Sequence, residues 1–451
     1  MNLDPQALPS QDVLVIGAGS AGCLAAMSAR ENSDFSVLLV ERYGFLGGTS
    51  TQMLDTFYGF FTPGKSSKKI VGGLVDRVVN RLNTLGEIFL RPNTYGAGTG
   101  VNYNPERLKL VWDQLLDESQ VKVMLHTTLI DVVQIPEGRY QAILWNKSGI
   151  FSVIAKRVID ASGDADFCHL AGFDYEVAGE NEPAQSMTTT FRMANVDFEE
   201  FEKSGGKKLL KEVMNSTSMP LPRKEGSAHE MNVPKCISTV AVKVVNKNAL
   251  INSELNEAEK EGRRQAFIFE EFFRKEIPGY QNSKIVGLST QIGVRETRRV
   301  YGNHRLTKDE CMDAEIPADS IFLCGAPIED HSADPKGESE TIWEYIPKSG
   351  IYGVPYGTII PKKSDTLWAV GRCFSATHDA HASCRSMAQT MSMGQAAGLA
   401  TQISLEKDIS ASNISSRELQ ERLLQIGAVL EVPNQEARIG RGDWLKNQIQ
   451  P

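Results

Sequence analysis

An α/β chain built on a parallel, dinucleotide-binding sheet is predicted by two observations. The apolar run Val13-Leu-Val-Ile16 passes directly into Gly17-Ala-Gly19-Ser20-Ala21-Gly22 and an Ala-rich stretch to Arg30, and a second apolar run, Leu38-Leu-Val40, ends in Glu41. A short apolar run closed by glycines reads as a buried strand and the stretch after it as a helix, so the segment forms a Rossmann-like βαβ unit. Each glycine has its own task there. Gly17 permits the tight turn, Gly19 lets backbone approach a pyrophosphate, and Gly22 lets helix and strand pack closely. The leading N–H groups of the helix, at Ser20 and Ala21, face the phosphates, where the helix dipole favours negative charge. Glu41 accepts hydrogen bonds from ribose hydroxyls and repels a 2′-phosphate. The fingerprint is shared by FAD and NAD sites and does not choose between them.

At 451 residues the chain is long enough for more than one core. Its net charge of −8 is spread over interspersed acids and bases, which offers nucleic acid no basic footprint. No apolar run approaches the ~20 residues of a membrane span. Residues 1–11 have neither the basic nor the apolar region of a signal peptide. The seven cysteines are odd in number and lack C-x-x-C spacing, which argues for reduced thiols and against a metal centre. The expectation is a cytoplasmic protein that acts on a small molecule, without nucleic acid or membrane as partner and with a homo-oligomer left open.

Further along, Tyr43-Gly-Phe-Leu-Gly47-Gly48-Thr49 reads as a glycine-rich loop. Helices are expected over 74–85 and from Pro105 to 116, with Pro105 in the first turn. Strands are expected over 121–125, 129–135, 142–145 and 151–154. A further strand from Lys156 ends in Asp160-Ala-Ser-Gly163-Asp164, whose small residues let a ligand approach the carboxyl edge of a sheet. From about 176 the chain becomes more charged, with a helix over 250–274, and reads as an inserted α+β substrate or cap domain. After Gly353 and Gly357 come a strand at 367–370, the segment Gly371-Arg372-Cys-Phe-Ser-Ala-Thr-His378-Asp-Ala-His381, and one helix over 383–405 containing Gly394, Ala396, Ala397 and Gly398. A shorter helix follows at 416–424. Gly96-Ala-Gly98-Thr-Gly100 lacks a preceding strand and reads as a flexible loop, so no second nucleotide fingerprint is expected.

Taken together, GAGSAG, ERYGFLGGTST, IDASGDAD, IGVRETRRVYG, GVPYG and VGRCFSATHDAHASCRSMAQTMSMGQAAG resemble the FAD-dependent oxidoreductase family of the glutathione-reductase-like flavoprotein type. The resemblance implies FAD as cofactor and a discontinuous FAD-binding domain, 1–175 with 347–410, around a cap at 176–346, followed by a C-terminal helix and tail at 411–451. It places Gly17, Gly19, Ser20, Ala21 and Gly22 at the pyrophosphate and Glu41, with Arg42 beside it, at the adenosine ribose. Gly47, Gly48 and Thr49 would lie toward the flavin and Val132 or Val133 at adenine. Gly163 and Asp164 would close the pocket, Gly371 and Arg372 would meet the ribityl chain, and Gly394, Ala396 and Ala397 would lie beneath the isoalloxazine.

Oxidation of a C–H bond next to OH or NH needs a base for the heteroatom proton, and histidine has the right range. His378 is the favoured candidate, with His381 beside it and His331 on the substrate side. Each has a structural alternative as a hydrogen-bonding loop residue. Arg295, in IGVRETRRVYG with Arg298 and Arg299, could hold a substrate carboxylate bidentately or form a buried ion pair. Tyr352 and Tyr356 could line the flavin or be packed, and Cys373 leaves a reactive role open. Trp343-Glu-Tyr345-Ile-Pro347 resembles the tryptophan motif of flavin-dependent halogenases, with tyrosine in the second aromatic place. The reading is an enzyme that passes hydride from a small CH–OH or CH–NH substrate to flavin N5, with reoxidation by oxygen or another acceptor. The alternatives are a flavin-dependent monooxygenase or halogenase supplied with reduced flavin or NAD(P)H, and a non-catalytic flavin- or nucleotide-binding protein.

Overall fold

The strand Gly149–Asp160 is the spine of the molecule. Its first half pairs antiparallel with Arg139–Asn146, which in turn pairs with Thr128–Ile135. Its last three residues pair parallel with Leu367–Ala369, and its other edge pairs parallel with Gln11–Ile16. Val37–Val40 and Lys122–Met124 complete the parallel half. The computed structural model describes residues 4–65, 67–93, 96–332 and 341–431. The strands expected at 151–154 and from Lys156 are therefore one, since no Gly or Pro interrupts them.

The helices Ser20–Arg30 and Met387–Lys407 pack against each other with their backbones nearly touching. A Cβ on Gly394 would overlap the Ala21 carbonyl oxygen, and one on Gly398 would stand 2.5 Å from that of Ala25. Ser28 Oγ donates to the Gln395 carbonyl at 2.6 Å, and Gln402 Nε2 donates to the Ser28 carbonyl at 3.0 Å. The chain thus closes its two ends on one core, and the nucleotide-binding domain is discontinuous. The single helix expected over 383–405 is two, His378–Cys384 and Met387–Lys407, because Ser386 is extended and starts the second.

The inserted segment folds into an antiparallel sheet in the order Ser227–Glu230, Cys236–Val240, Phe191–Ala194, Lys284–Leu288. One face of that sheet is covered by the helix Asn252–Glu276, whose Phe269 and Phe273 rings each lie 6.5 Å from Phe191. This second core runs only from Met187 to Ile292, narrower than the expected 176–346, while Leu306, Cys311, Ile321 and Cys324 pack into the first core. A small sheet of Thr56–Phe57, Ile88–Arg91 and Gly100–Tyr103 sits between the two. Gly100 of the expected flexible loop is therefore strand. Ser416–Gln425 packs Leu419 and Leu423 on the first core, and residues 432–451 of the expected tail lie outside the described residues. Among the described residues no helix is long and apolar enough to cross a membrane, and no cluster of side chains could hold a metal ion.

Replacing Gly394 by Ala tests the helix contact. Overpacking against a backbone carbonyl that cannot rotate away costs roughly 1–3 kcal/mol, whereas the gain in helix propensity is at most about 1 kcal/mol. Gly394→Ala is expected to lower the melting temperature in calorimetry, and an unchanged melt would place the helices farther apart.

Candidate functional site

The three fingerprint glycines differ in their surroundings. Gly17 has φ +91°, and a Cβ there would lie 2.5 Å from the Ala161 carbonyl oxygen; one on Gly22 would overlap the Gly17 carbonyl. Gly19 is half-buried, yet a Cβ on it meets no atom within 4 Å. Two of the glycines are therefore required by packing and the third borders open space. The helix that starts at Ser20 has no side-chain cap and no acid in its first turn, so its positive end faces that space without a protein counter-charge.

The glycine pair of the next loop closes on the same point. Gly47 bridges to Gly19 and donates to the Ala18 carbonyl at 2.8 Å, and a Cβ on Gly48 would stand 2.9 Å from Gly19 Cα. Thr49 follows as the first residue of a short helix, and Ser20 Oγ is tied to Ser50 Oγ at 3.0 Å. Glu41 accepts from the Ala18 N–H at 2.7 Å and from the Tyr43 N–H at 2.9 Å. Burial raises its carboxyl above the ordinary range despite these donors. Each oxygen keeps lone-pair capacity for a ribose hydroxyl.

On the far side, Asp164 gathers the remaining expected residues. It accepts from Arg372 Nη2 at 2.7 Å and Thr297 Oγ1 at 2.8 Å, and Arg42 Nη2 lies 4.0 Å away. Burial alone would raise Asp164, but Arg372, Thr297 and Arg42 together hold it below the usual carboxylate range. A Cβ on Gly163 would sit 3.1 Å from Arg372 Nη2, and one on Gly371 would be 3.3 Å from Ala21 Cβ. Arg372 Nη1 is buried without a partner among the described residues. The open space at Gly19, the uncapped helix, the orphaned Arg372 N–H and the ribose acceptor at Glu41 together fit a dinucleotide such as FAD. These residues would hold its pyrophosphate and adenosine ribose.

Other expected contacts fall elsewhere. Met124 and Thr127 bond to the Glu41 backbone. Val132 and Val133 lie farther along the strand Thr128–Ile135, Val132 packed in a core and Val133 44% exposed on the opposite face. Gly394, Ala396 and Ala397 are buried inside Met387–Lys407, with Gly394 spent on the contact with Ala21. Tyr352 bonds to Ser383 Oγ at 2.7 Å and Tyr356 accepts from Trp368 Nε1 at 2.9 Å, so both are packed. Burial holds the Cys373 thiol well above its ordinary range, which makes it a poor nucleophile.

The histidines change roles most. His378 Nδ1 lies 3.1 Å from Glu296 and Nε2 lies 3.2 Å from Asp330. Burial opposes its charge, but the two carboxylates carry it up to about 10, so it is an imidazolium with both protons committed. Both ring nitrogens are thus turned to carboxylates. His381 donates from Nε2 to the Arg372 carbonyl at 2.8 Å, and burial pushes it down to about 3. It steadies the Arg372 backbone. His331 is brought down to about 4 by burial and Arg295, with Nε2 3.0 Å from Glu329 and Nδ1 3.2 Å from Thr341 Oγ1. Arg295 donates to the Ser186 carbonyl, and burial lowers it to about 9 beside Arg385. Arg299 is a structural hub, paired with Glu296 at 2.5 Å and Glu176 at 2.7 Å. Trp343 and Tyr345 are exposed at the surface, and Tyr345 Oη accepts from the Gly96 N–H at 2.8 Å.

The pair that sequence reasoning missed is His229 with Asp55. Nε2 of His229 donates to Asp55, 3.0 Å from Oδ1 and 3.2 Å from Oδ2, and both residues are buried. Asp55 follows the Gly47-Gly48 loop and His229 comes from the cap sheet, so the contact spans the seam between the cores. Burial would raise Asp55, but His229, Arg91 and Arg192 outweigh it and hold the carboxylate ionised. Nδ1 of His229 has no hydrogen-bond partner among the described residues. A histidine and an aspartate 174 positions apart leave no local pattern to read.

Two outcomes check the site. Gly19→Val should leave the melting of the FAD-free protein near wild type while abolishing FAD uptake, and Gly22→Val should unfold the unit; equal melting losses would sink the assignment of open space to Gly19. The His378 ion pairs stabilise the fold fully below the unfolded pKa of about 6.5, and that contribution is lost as pH rises toward about 10. In denaturant titrations at pH 6 and 9.5, His378→Gln should lose less stability between the two than wild type does.

No curated protein matches the chain. Among solved structures, it is similar to a geranylgeranyl bacteriochlorophyll reductase-like protein from Thermoplasma acidophilum, at 14% identity and TM-score 0.47 over 98% of this chain and 91% of that one. It is also similar to p-nitrophenol 4-monooxygenase from Pseudomonas putida, at 10% identity and TM-score 0.48 over 98% and 88%. A flavoprotein/dehydrogenase from Cytophaga hutchinsonii matches at 12% identity and TM-score 0.45 over 91% and 83%. The family model for FAD dependent oxidoreductases matches residues 12–423, from the fingerprint strand to the last described helix, and the chain belongs to that family.

Proposed function

We propose that the protein oxidises a small organic substrate at a CH–OH or CH–NH carbon, held in the seam between nucleotide domain and cap, with His229 as the proton acceptor. The observation that carries this reading is the buried His229–Asp55 contact at 3.0 Å. FAD, when bound, supplies the two-electron acceptor, and oxygen or another acceptor reoxidises it. With its Nε2 proton shared with Asp55, His229 presents the Nδ1 lone pair to the substrate heteroatom. As the neighbouring carbon is oxidised, the heteroatom proton passes to Nδ1, and Asp55 stabilises the resulting imidazolium. Tyr103 Oη, bonded to the Ser50 carbonyl at 2.8 Å, ties the seam to the glycine loop. Thr190 Oγ1 on the Met53 carbonyl at 2.6 Å does the same from the cap side.

His229→Asn keeps the shape and one donor but removes the base. FAD content should stay at wild type while anaerobic bleaching of the flavin by substrate slows by roughly a hundredfold or more, the scale of lost acid–base catalysis. Bleaching at the wild-type rate would remove His229 from the mechanism. Rapid bleaching by NAD(P)H alone would favour the monooxygenase reading.

A further inference from the structure

The cap sheet presents a second feature to the same seam. Residues on its two faces alternate: Phe191 and Met193 enter the cap core, so Arg192 points the other way, toward the nucleotide domain. Arg192 is paired with Ser238, and Ser238 with His229, so the three form one cross-strand row on that face. Gly287 continues the row beyond Arg192, and a Cβ there would meet nothing within 4 Å. The row therefore holds one base and one cation with only small residues beside them. At ~4.8 Å per strand spacing, Arg192 and His229 stand about 10 Å apart at Cα.

Arg192 Nε and Nη2 are both buried and have no hydrogen-bond partner among the described residues. These two N–H groups form one edge of the guanidinium, the edge that meets a carboxylate with two parallel bonds. The same edge of Arg264 shows the geometry satisfied, with Nε at 2.7 Å and Nη2 at 2.6 Å from the two oxygens of Glu261. No such partner serves Arg192. Asp55, the acid nearby, has both oxygens engaged by His229. A further buried N–H, Arg91 Nη1, also lacks a partner among the described residues and belongs to a side chain that acts on the same carboxylate. Buried donors are rarely left unsatisfied unless something else completes them. A surplus of guanidinium donors around a general base is what an anionic substrate would complete.

We infer that the seam binds a small substrate bearing a carboxylate, clasped by the Nε/Nη2 edge of Arg192, with the carbon to be oxidised a few bonds away beside His229. This rests on the oxidoreductase reading above. The carboxylate satisfies the orphaned edge, and Arg91 adds positive field near it. Binding fixes the distance from the anchored end to the base, so that substrates lacking the anion would be poorly positioned.

The test uses the FAD-loaded protein and non-oxidisable probes: acetate, oxalate, malonate and succinate, with acetamide and malonamide as neutral counterparts. Calorimetry and the visible flavin spectrum are read together. At least one carboxylate should bind at one per chain and the amides should not. Arg192→Gln should weaken that binding by roughly tenfold to a hundredfold, the scale of a charge-assisted pair, with FAD content and melting unchanged. Arg192→Lys, which keeps the charge and loses the fork, should also bind more weakly, and Arg264→Gln should match wild type. If the loaded protein binds no carboxylate, or Arg192→Gln binds as wild type does, the anion subsite is overturned and the oxidoreductase reading stands. If the chain takes up no FAD yet still binds carboxylate through Arg192, the subsite stands and the oxidoreductase reading falls.

Discussion

Everything in this structure that concerns a nucleotide depends on the contact between the helices Ser20–Arg30 and Met387–Lys407. Two helices approach this closely only if the side chains between them are removed, and Gly394 and Gly398 remove them where Ala21 and Ala25 present their carbonyls. The consequence reaches beyond packing. The contact brings Gly371 against Ala21, and with it Arg372 onto Asp164, so residues from the two ends of the chain enclose the space beside Gly19. The polar bonds from Ser28 and Gln402 satisfy backbone groups that such close packing would otherwise leave dry.

The buried charges fall into two populations with different physics. One is largely paired: Arg299 and His378 meet Glu296, and His378 also meets Asp330, and these partners hold both carboxyls below their ordinary range. This network ties Glu296 and Arg299 to the helix that follows Thr377, and most of its donors are already spent. The other is open. Beside Asp55, Arg192 Nε and Nη2 and Arg91 Nη1 are buried with no partner among the described residues. Buried polar groups are nearly always satisfied in folded proteins, so a cluster of exceptions at the seam between two cores marks a place the chain leaves for something else.

This division explains why the fingerprint was legible and the acid–base chemistry was not. Gly17, Gly19, Gly22 and Glu41 act within one strand–turn–helix–strand unit, and their tasks follow from short-range backbone geometry. Gly47 and Gly48 are near enough in the chain to be read with them. The histidines were legible only as residue types. His378 sits beside the right glycines, yet Glu296 and Asp330 reach it from far along the chain and turn a candidate base into a fixed cation. His381 and His331 go the other way, held neutral by burial and by neighbouring arginines. Gly394, expected beneath the isoalloxazine in a helix that also reads as a small-residue core helix, gives the Ala21 backbone room to approach, because a run of small residues looks the same in either setting.

The sequence by itself determined the nucleotide unit and its parallel strands, because these rest on spacing along a contiguous segment, while the family entered through the resemblance of motifs spread along the chain. Only the tertiary structure decided which histidines meet carboxylates, which arginines are spent on carboxylates and which are left with unpaired donors among the described residues. Those properties belong to charges and hydrogen bonds between residues far apart in the chain. Coulombic and desolvation energies follow distance in space, and that distance exists only once the cap sheet has settled against the glycine loop.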